Sequence, residues 1–492
     1  MNRRFLIACF ALFLLCRFTA LVCADGNSDP PRKPDAELTQ QIALLFNTPD
    51  FRAGFQGVCI ASVSDGGTLC ELNADRLFLP ASNNKLLTSG AALALLGPRF
   101  RYHTRLFQNG ALDRSGVLRG DLVLRGDGDP LLDFHDFREL AQRVKQAGIR
   151  RVTGKLYYDE SRFDAQRLGD GWTWDDETFD YSAQISALNV NENVVTIRVS
   201  ADGAAGGRIH AAVEPNLGYV TLVNRATVSK NANDAPLEYD RKPGTNTIVI
   251  TGGLPKKARR QFTVTVDNPA KFSSTYFLFA LKQAGIHCEP GGDYQRSKRE
   301  NLRLIAERVS PPLAELLPKM NKPSDNLMAE CLLKTIGSVR RGEGSAQKGA
   351  ASIQAWLSSI GIKEDAVRMA DGSGLSRYNE VSPRALVRLL TWLYRSPYRN
   401  TFFDSLPIAG IDGTLKNRLK NTAAQSDCRA KTGTLSHVSS LSGIVKTRDG
   451  ETLAFSILMN NHLAAPKICH AAQDKIVSLL AEYTRPKRPT AP

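Results

Sequence analysis

Apolar and polar positions change rhythm twice along the chain. ELTQQIALLF, from Glu37, repeats apolar residues at helical spacing and predicts an amphipathic helix. GVCIASV and TLCELNA flank SDGG and read as strand, turn and strand. PASNNKLLTSGAALALL, from Pro80 to Leu96, is an apolar helical run with Ser82 and Lys85 at its mouth. From about Phe100 short alternating segments take over: YHTRLFQ, GVLRGDLVLRG, KLYYDE, VVTIRVS, YVTLVN, NTIVITG and QFTVTVD. Gly, Asn, Asp and Pro separate them, which predicts a β-rich tract of roughly 200 residues. After about residue 300 helices dominate: PLAELLPKM, SDNLMAECLLKTI, GAASIQAWLSSI and PRALVRLLTWLY. KTGTLSHVSSLSGIVKT then meets ETLAFSILMNN across the turn RDG, and CHAAQDKIVSLLAEY closes the pattern as an amphipathic helix.

The two helical regions predict one discontinuous α/β (α+β) domain, helices around an antiparallel sheet, split by a β-rich insertion. That places Ser82 beside residues far along the chain. FRELAQRVKQAGI, TYFLFALKQAGI and IQAWLSSIGI echo one another. Glycine ending a helix before an Ile-led strand accounts for the echo without duplication.

Composition narrows the class. A chain of 492 residues with 42% hydrophobic and 23% charged residues is a folded protein of more than one domain. In residues 1–24 two arginines precede an apolar run from Phe5 to Leu15, and small residues stand before a cut after Ala24. That is a cleaved signal peptide, which predicts export to the periplasm or cell envelope. Arg17 interrupts the run and argues against a lasting membrane anchor. The leader holds three of the arginines behind the formal charge of +15. A basic excess remains without them; it suits a loose association with an anionic envelope, and no nucleic-acid module accompanies it. Six of nine cysteines lie beyond the leader, and Cys59 and Cys70 face each other across the first hairpin turn. Whether they meet the strict geometry of a disulfide is open at this point. No CxxC, HExxH or His cluster is present, so no metal or other cofactor is expected.

Ser82 and Lys85 are three apart, which puts a hydroxyl and an amine on one helical face. A serine under the positive end of a helix, beside a partly buried lysine, has the makings of a nucleophile with its base. Ser is also a common helix cap, and Ser345–Lys348 repeats the spacing before another helix. Ser324-Asp325-Asn326 offers a hydroxyl relay and an amide, or simply a cap. Lys431-Thr432-Gly433 offers a cation, a hydroxyl and a glycine that lets a substrate strand approach, or is an exposed strand end. Each is weak alone. In the order SxxK, SDN, KTG they mark the penicillin-recognising serine enzymes. Ser345 follows the SDN triplet and is read as a cap.

Over nearly the whole mature chain the sequence resembles the class C low-molecular-mass penicillin-binding proteins, D-alanyl-D-alanine carboxypeptidases and endopeptidases with a large insertion after the first motif. PASNNKLLTSGAAL, GDLVLRGDGDP, WTWDDETFDYSAQISALNVNEN, RMADGSGLSR, GIDGTLKNR and KTGTL carry the resemblance. It implies a β-lactamase/transpeptidase-like domain over residues 36–98 and 300–486. Insertion domains would span 99–190 with 265–299, and 191–264. It implies peptidoglycan stem peptides as substrates and β-lactams as ligands. Ser82 would be acylated, with Lys85 as its base. Ser324 would pass a proton to the leaving amine in the field of Lys431, and Asn326 would bind the acyl-side amide. The N–H groups of Ser82 and Thr434 would form the oxyanion hole, while the hydroxyls of Thr432 and Thr434 would face the terminal carboxylate. Asp176 and Tyr181 would recognise the amino end of a diaminopimelate-like side chain, Arg377 a carboxylate, and Ser436 would line the pocket. Two rivals share the motifs: a serine β-lactamase, which lacks such an insertion, and a catalytically silent wall-binding protein.

Overall fold

Two distant parts of the chain build one antiparallel sheet. The computed structural model describes residues 34–230, 235–294 and 302–485, so the leader lies outside the described residues. The sheet runs, edge to edge, through Arg429–Leu435, Val438–Lys446, Thr452–Asn460, Phe55–Ser62 and Thr68–Leu72. Helices Ala36–Phe46 and Pro466–Glu482 cover one face. Helices Asn84–Leu95, Asn326–Arg341, Ala346–Ser359 and Pro383–Arg395 cover the other. KTGTLSHVSSLSGIVKT is therefore two strands rather than one. They pair with each other, and the chain reverses at Ser436-His437, where His437 takes φ +64°.

The first hairpin leaves its cysteines unbridged. Cys59 stands opposite Glu71, and Cys70 opposite Ile60. A one-residue offset sends the two side chains to opposite faces of the sheet. Cys59 packs under the helical layer with Leu86 and Leu87, Cys70 under the terminal helices with Ile42. Both are free thiols.

The insertion contains a five-stranded mixed sheet ordered His287–Asp293, Arg151–Asp159, Val117–Arg125, His103–Leu112 and Leu302–Val309. Its first three strands are parallel neighbours. Helix Phe134–Gln146 makes the crossover into Arg151–Asp159, and helix Pro269–Gln283 leads into His287–Asp293. Gly148 and Gly285, at φ +86° and +82°, end the two helices, as glycine does where a left-handed residue is required. Strand Leu302–Val309 pairs with His103–Leu112, so this sheet runs past the boundary expected at 300. A smaller group of strands between Val194 and Thr265 forms the outer part of the insertion.

Half-buried polar links staple the insertion to the helical layer. Lys334 donates to Asp164 and to the Gln166 carbonyl. Trp172 Nε1 donates to Asp371 Oδ2 at 2.9 Å, and Ser376 Oγ donates to the Asp170 carbonyl at 2.6 Å. These bonds anchor residues 164–172 to helix Asn326–Arg341 and to the loop 371–376.

Candidate active site

Ser82 lies in a short 3-10 turn, Ala81–Asn83, that feeds directly into helix Asn84–Leu95. It caps nothing; the caps of both elements have no side-chain bond. Lys85 is fully buried, and its Nζ lies 3.0 Å from Ser82 Oγ, 2.6 Å from Asn326 Oδ1 and 2.7 Å from the Ser373 carbonyl oxygen. Burial lowers its pKa to about 8, while Asp371, Asp325 and Glu330 pull the other way.

The second triplet divides its labour. Asp325 is the helix cap, accepting from Met328 N at 2.7 Å. That frees Ser324 and Asn326 to face the serine. Ser324 holds φ +73°, and Ala81, just before Ser82, holds φ +47°. Left-handed backbone at non-glycine residues costs roughly 1–3 kcal/mol each and gathers at functional sites. Asn326 spends both ends of its amide, Oδ1 on Lys85 and Nδ2 on the Tyr181 carbonyl at 2.7 Å. It thus ties the insertion to the lysine.

Strand alternation splits the third motif. Lys431 and Gly433 point inward; Thr432 and Thr434 share the outer face. Lys431 Nζ donates to Ser324 Oγ and to the Thr432 carbonyl, both at 2.9 Å. Burial, then the nearby charge of Lys85, lowers its pKa well below the usual lysine range. Thr432 Oγ1 donates to Thr414 Oγ1 at 2.7 Å. Gly433 was expected to admit a substrate strand. A Cβ there would instead strike Ser440 Oγ and come within 2.8 Å of the Pro80 carbonyl oxygen and 2.9 Å of Ser82 N. The glycine lets the Ser82 turn seat on the strand.

Ser82, Ser324, Asn326, Asp176, Tyr181, Arg377, Thr434 and Ser436 line one cavity of about 550 Å³. Tyr181 Oη donates to Asp176 Oδ1 at 2.7 Å, and Thr173 Oγ1 to Asp176 Oδ2 at 2.6 Å. Arg377 donates to the Ser436 carbonyl at 3.0 Å. Ser345 accepts from Lys348 N at 3.3 Å and caps its helix. The site also uses residues that the sequence reading left unassigned: Ser373, Asp371, Glu330 and Thr414. Their only sequence signal is that they lie in or beside RMADGSGLSR, SDNLMAECLL and GIDGTLKNR.

Residues 38–483 match the D-Ala-D-Ala carboxypeptidase 3 (S13) family. The chain belongs to that family. It is a penicillin-binding-protein-type carboxypeptidase, a hydrolase of peptidoglycan. It is 36% identical over 491 residues to the D-alanyl-D-alanine carboxypeptidase of Actinomadura sp. (strain R39), covering 96% of this chain and 90% of that one. The crystal structure of penicillin binding protein 4 (dacB) from Haemophilus influenzae superposes with a TM-score of 0.81 at 26% identity, covering 90% of this chain and 99% of that one. The same Haemophilus protein complexed with a novel β-lactam shares the fold with a TM-score of 0.76 at 23% identity, over 90% of this chain and 99% of that one. The S13 carboxypeptidase fold thus accounts for both the split sheet and the insertion.

Proposed function

We propose that this S13 carboxypeptidase is an exported serine enzyme that works through an acyl-enzyme on Ser82 and cleaves both terminal D-Ala and D,D cross-links. The observation that carries the reading is the buried Lys85 amine 3.0 Å from Ser82 Oγ. Lys85 takes the Ser82 proton while Oγ bonds to the carbonyl carbon of the penultimate D-Ala. The N–H groups of Ser82 and Thr434 stabilise the oxyanion. The C–N bond then breaks, and the proton that Lys85 took is delivered to the leaving nitrogen through Ser324 Oγ, whose hydroxyl Lys431 orients, which leaves Lys85 neutral again. Water releases the acyl group and restores the Ser82 hydroxyl. Asn326 binds the acyl-side amide in this scheme after its Tyr181 contact opens, and Thr432 and Thr434 take the terminal carboxylate.

Endopeptidase action draws on a second cavity of about 660 Å³ that shares Tyr181, Ser324 and Asn326 with the first. It gives room for a leaving group larger than one amino acid. The same proposal keeps a catalytic domain and two insertion domains, with the insertion running to Val309. It also keeps the cleaved leader, envelope localisation and β-lactam binding.

The test is intact mass followed in time after mixing with benzylpenicillin, with the adduct mapped by proteolysis. A lasting adduct on the peptide that holds Ser82 is expected. No adduct, or one mapped elsewhere, overturns the nucleophile; a fleeting adduct with rapid penicillin loss makes the chain a β-lactamase.

Asp176 carries the specificity part of the proposal. With Tyr181, Arg377 and Ser436 it would receive the polar end of a diamino-acid side chain. Asp176→Asn is expected to raise KM about tenfold or more for stem peptides with a free side-chain ammonium, since a hydrogen bond to a charged group is worth roughly 1.5–3 kcal/mol. Acylation by benzylpenicillin, which lacks that ammonium, is expected to stay within about threefold. Steady-state kinetics on amino and N-acetylated peptides separates the two effects.

A further inference from the structure

Three oxygens surround Lys85 Nζ: Ser82 Oγ, Asn326 Oδ1 and the Ser373 carbonyl. An ammonium has three N–H bonds and satisfies all three. A neutral amine has two N–H bonds and a lone pair. If two of the oxygens are fixed acceptors, the third direction, toward the serine, belongs to the lone pair. Asn326 and Ser373 are such acceptors; neither an amide oxygen nor a peptide carbonyl can donate. How firmly they are held decides whether the base is aimed.

The Ser373 carbonyl belongs to a tight turn, Asp371-Gly372-Ser373-Gly374, whose backbone is held from three sides. Glu330 is fully buried, and its carboxylate accepts from Gly372 N at 3.0 Å and from Ser373 N at 2.8 Å. Asp371 Oδ1 accepts from Gly374 N at 2.7 Å. Thr88 Oγ1 donates to the Gly372 carbonyl at 2.7 Å. Glu330 stands one helical turn after Asn326 on helix Asn326–Arg341, so both project from one face. That helix therefore supplies one acceptor to Lys85 directly and fixes the other through the turn.

A carboxylate with no solvent contact is costly unless hydrogen-bonded. The buried acids of the insertion, Asp127, Asp129 and Asp159, have arginine partners; Glu330 instead spends its oxygens on two peptide N–H groups, and Asp371 beside it is likewise held by neutral donors. The charged groups facing it are Asp371 from the turn, Lys85 from the opening helix and Asp325 at the start of its own helix, with Lys431 beyond Lys85. Burial and Asp371 raise its pKa to about 7, against the pull of the N–H bonds.

We propose that Glu330 is a positioning residue for the base: by clamping Gly372 N–H and Ser373 N–H it fixes the Ser373 carbonyl, which with Asn326 Oδ1 occupies both N–H bonds of neutral Lys85 and leaves the lone pair on Ser82 Oγ. The proposal rests on Lys85 being the base.

The test measures the acylation rate per active site, counted by burst titration, across pH for wild type, Glu330→Gln, Glu330→Asp and Thr88→Val. Glu330→Gln sets an NH₂ against the turn and removes a negative charge. Its plateau rate is expected to fall tenfold or more, and its acid limb to move to lower pH, because the lost carboxylate had favoured protonated Lys85. Glu330→Asp keeps the charge and shortens the reach, so its rate falls while the limb stays. A merely structural role lowers the number of active sites and leaves the rate and limb of each unchanged. Wild-type rates per site in both Glu330 variants overturn the proposal. Should either variant fail to fold, Thr88→Val loosens the same turn from the opposite side; a several-fold slower rate with an unmoved limb is expected, and a wild-type rate overturns the proposal. A wild-type protein without a Ser82 adduct would instead remove the base reading itself.

Discussion

Ser82→Ala is expected to abolish the covalent adduct, and Lys85→Ala to slow acylation by about 10⁴-fold, the upper range for a general base. The lysine is the side chain within reach of Ser82 Oγ that can take its proton; Lys431 faces Ser324 instead. Lys85→Arg is expected to be as slow as the alanine variant, because a guanidinium keeps its charge but cannot be deprotonated. The pH dependence follows from the sign of the shift. Burial lowers Lys85 to about 8, and the neutral form is the base. The neutral fraction, and with it acylation, therefore rises with pH through about 8 and levels above it. At pH 7 about a tenth of the molecules carry the neutral amine, against roughly three in ten thousand at the ordinary 10.5. Stopped-flow acylation by a chromogenic cephalosporin reads this limb directly. A rate that ignores pH across the neutral and mildly alkaline range would take Lys85 out of the role of base.

The second lysine feels the first. Lys431 is buried, and the charge of Lys85 beside it lowers its pKa further. Lys431 has Ser324 Oγ and the Thr432 carbonyl as acceptors and no carboxylate bonded to it among the described residues. The two motifs are thus coupled by charge as well as by contact, although 346 residues separate Lys85 from Lys431 in the chain.

What could be read from the sequence was whatever residue type and spacing encode. Ser82 and Lys85 were legible because positions three apart nearly eclipse in a 3-10 turn and stay on one face in the helix that follows. The split domain was legible from the change of rhythm near residues 100 and 300. Four things were not. The thiols of Cys59 and Cys70 depend on a one-residue register, which composition does not record. The break at Ser436-His437 rests on one left-handed histidine inside a run whose alternation continues on both sides. Ser373 acts through its backbone carbonyl, so any residue type in that place has the needed atom, and its side chain advertises nothing. Glu330 is found only once burial is known, since an acid on a helix is usually solvated.

Gly433→Ala is expected to cost at least a hundredfold in acylation per active site while moving the thermal midpoint little. The added methyl has nowhere to go. Ser440 Oγ blocks it on its own sheet, and the Pro80 carbonyl and Ser82 N block it from above. Ser440 Oγ also donates to that carbonyl at 2.7 Å, so the neighbouring strand Val438–Lys446 is already bonded to the Ser82 turn beside Gly433. The turn must lift off the strand by a good fraction of an ångström, and Ser82 N–H, which the proposed mechanism uses to hold the oxyanion, lifts with it. Misplacement of about 1 Å is enough for a loss on the order of 10². Stability suffers less because Arg429–Leu435 is an edge strand of the sheet, and its backbone ladder to Val438–Lys446 need not break for the turn to lift. Ser440→Ala in the same chain separates the causes. It removes the first collision and leaves the two backbone ones, so the double variant is expected to remain slow. Full recovery in the double variant would place the glycine requirement at Ser440 rather than at the nucleophile turn.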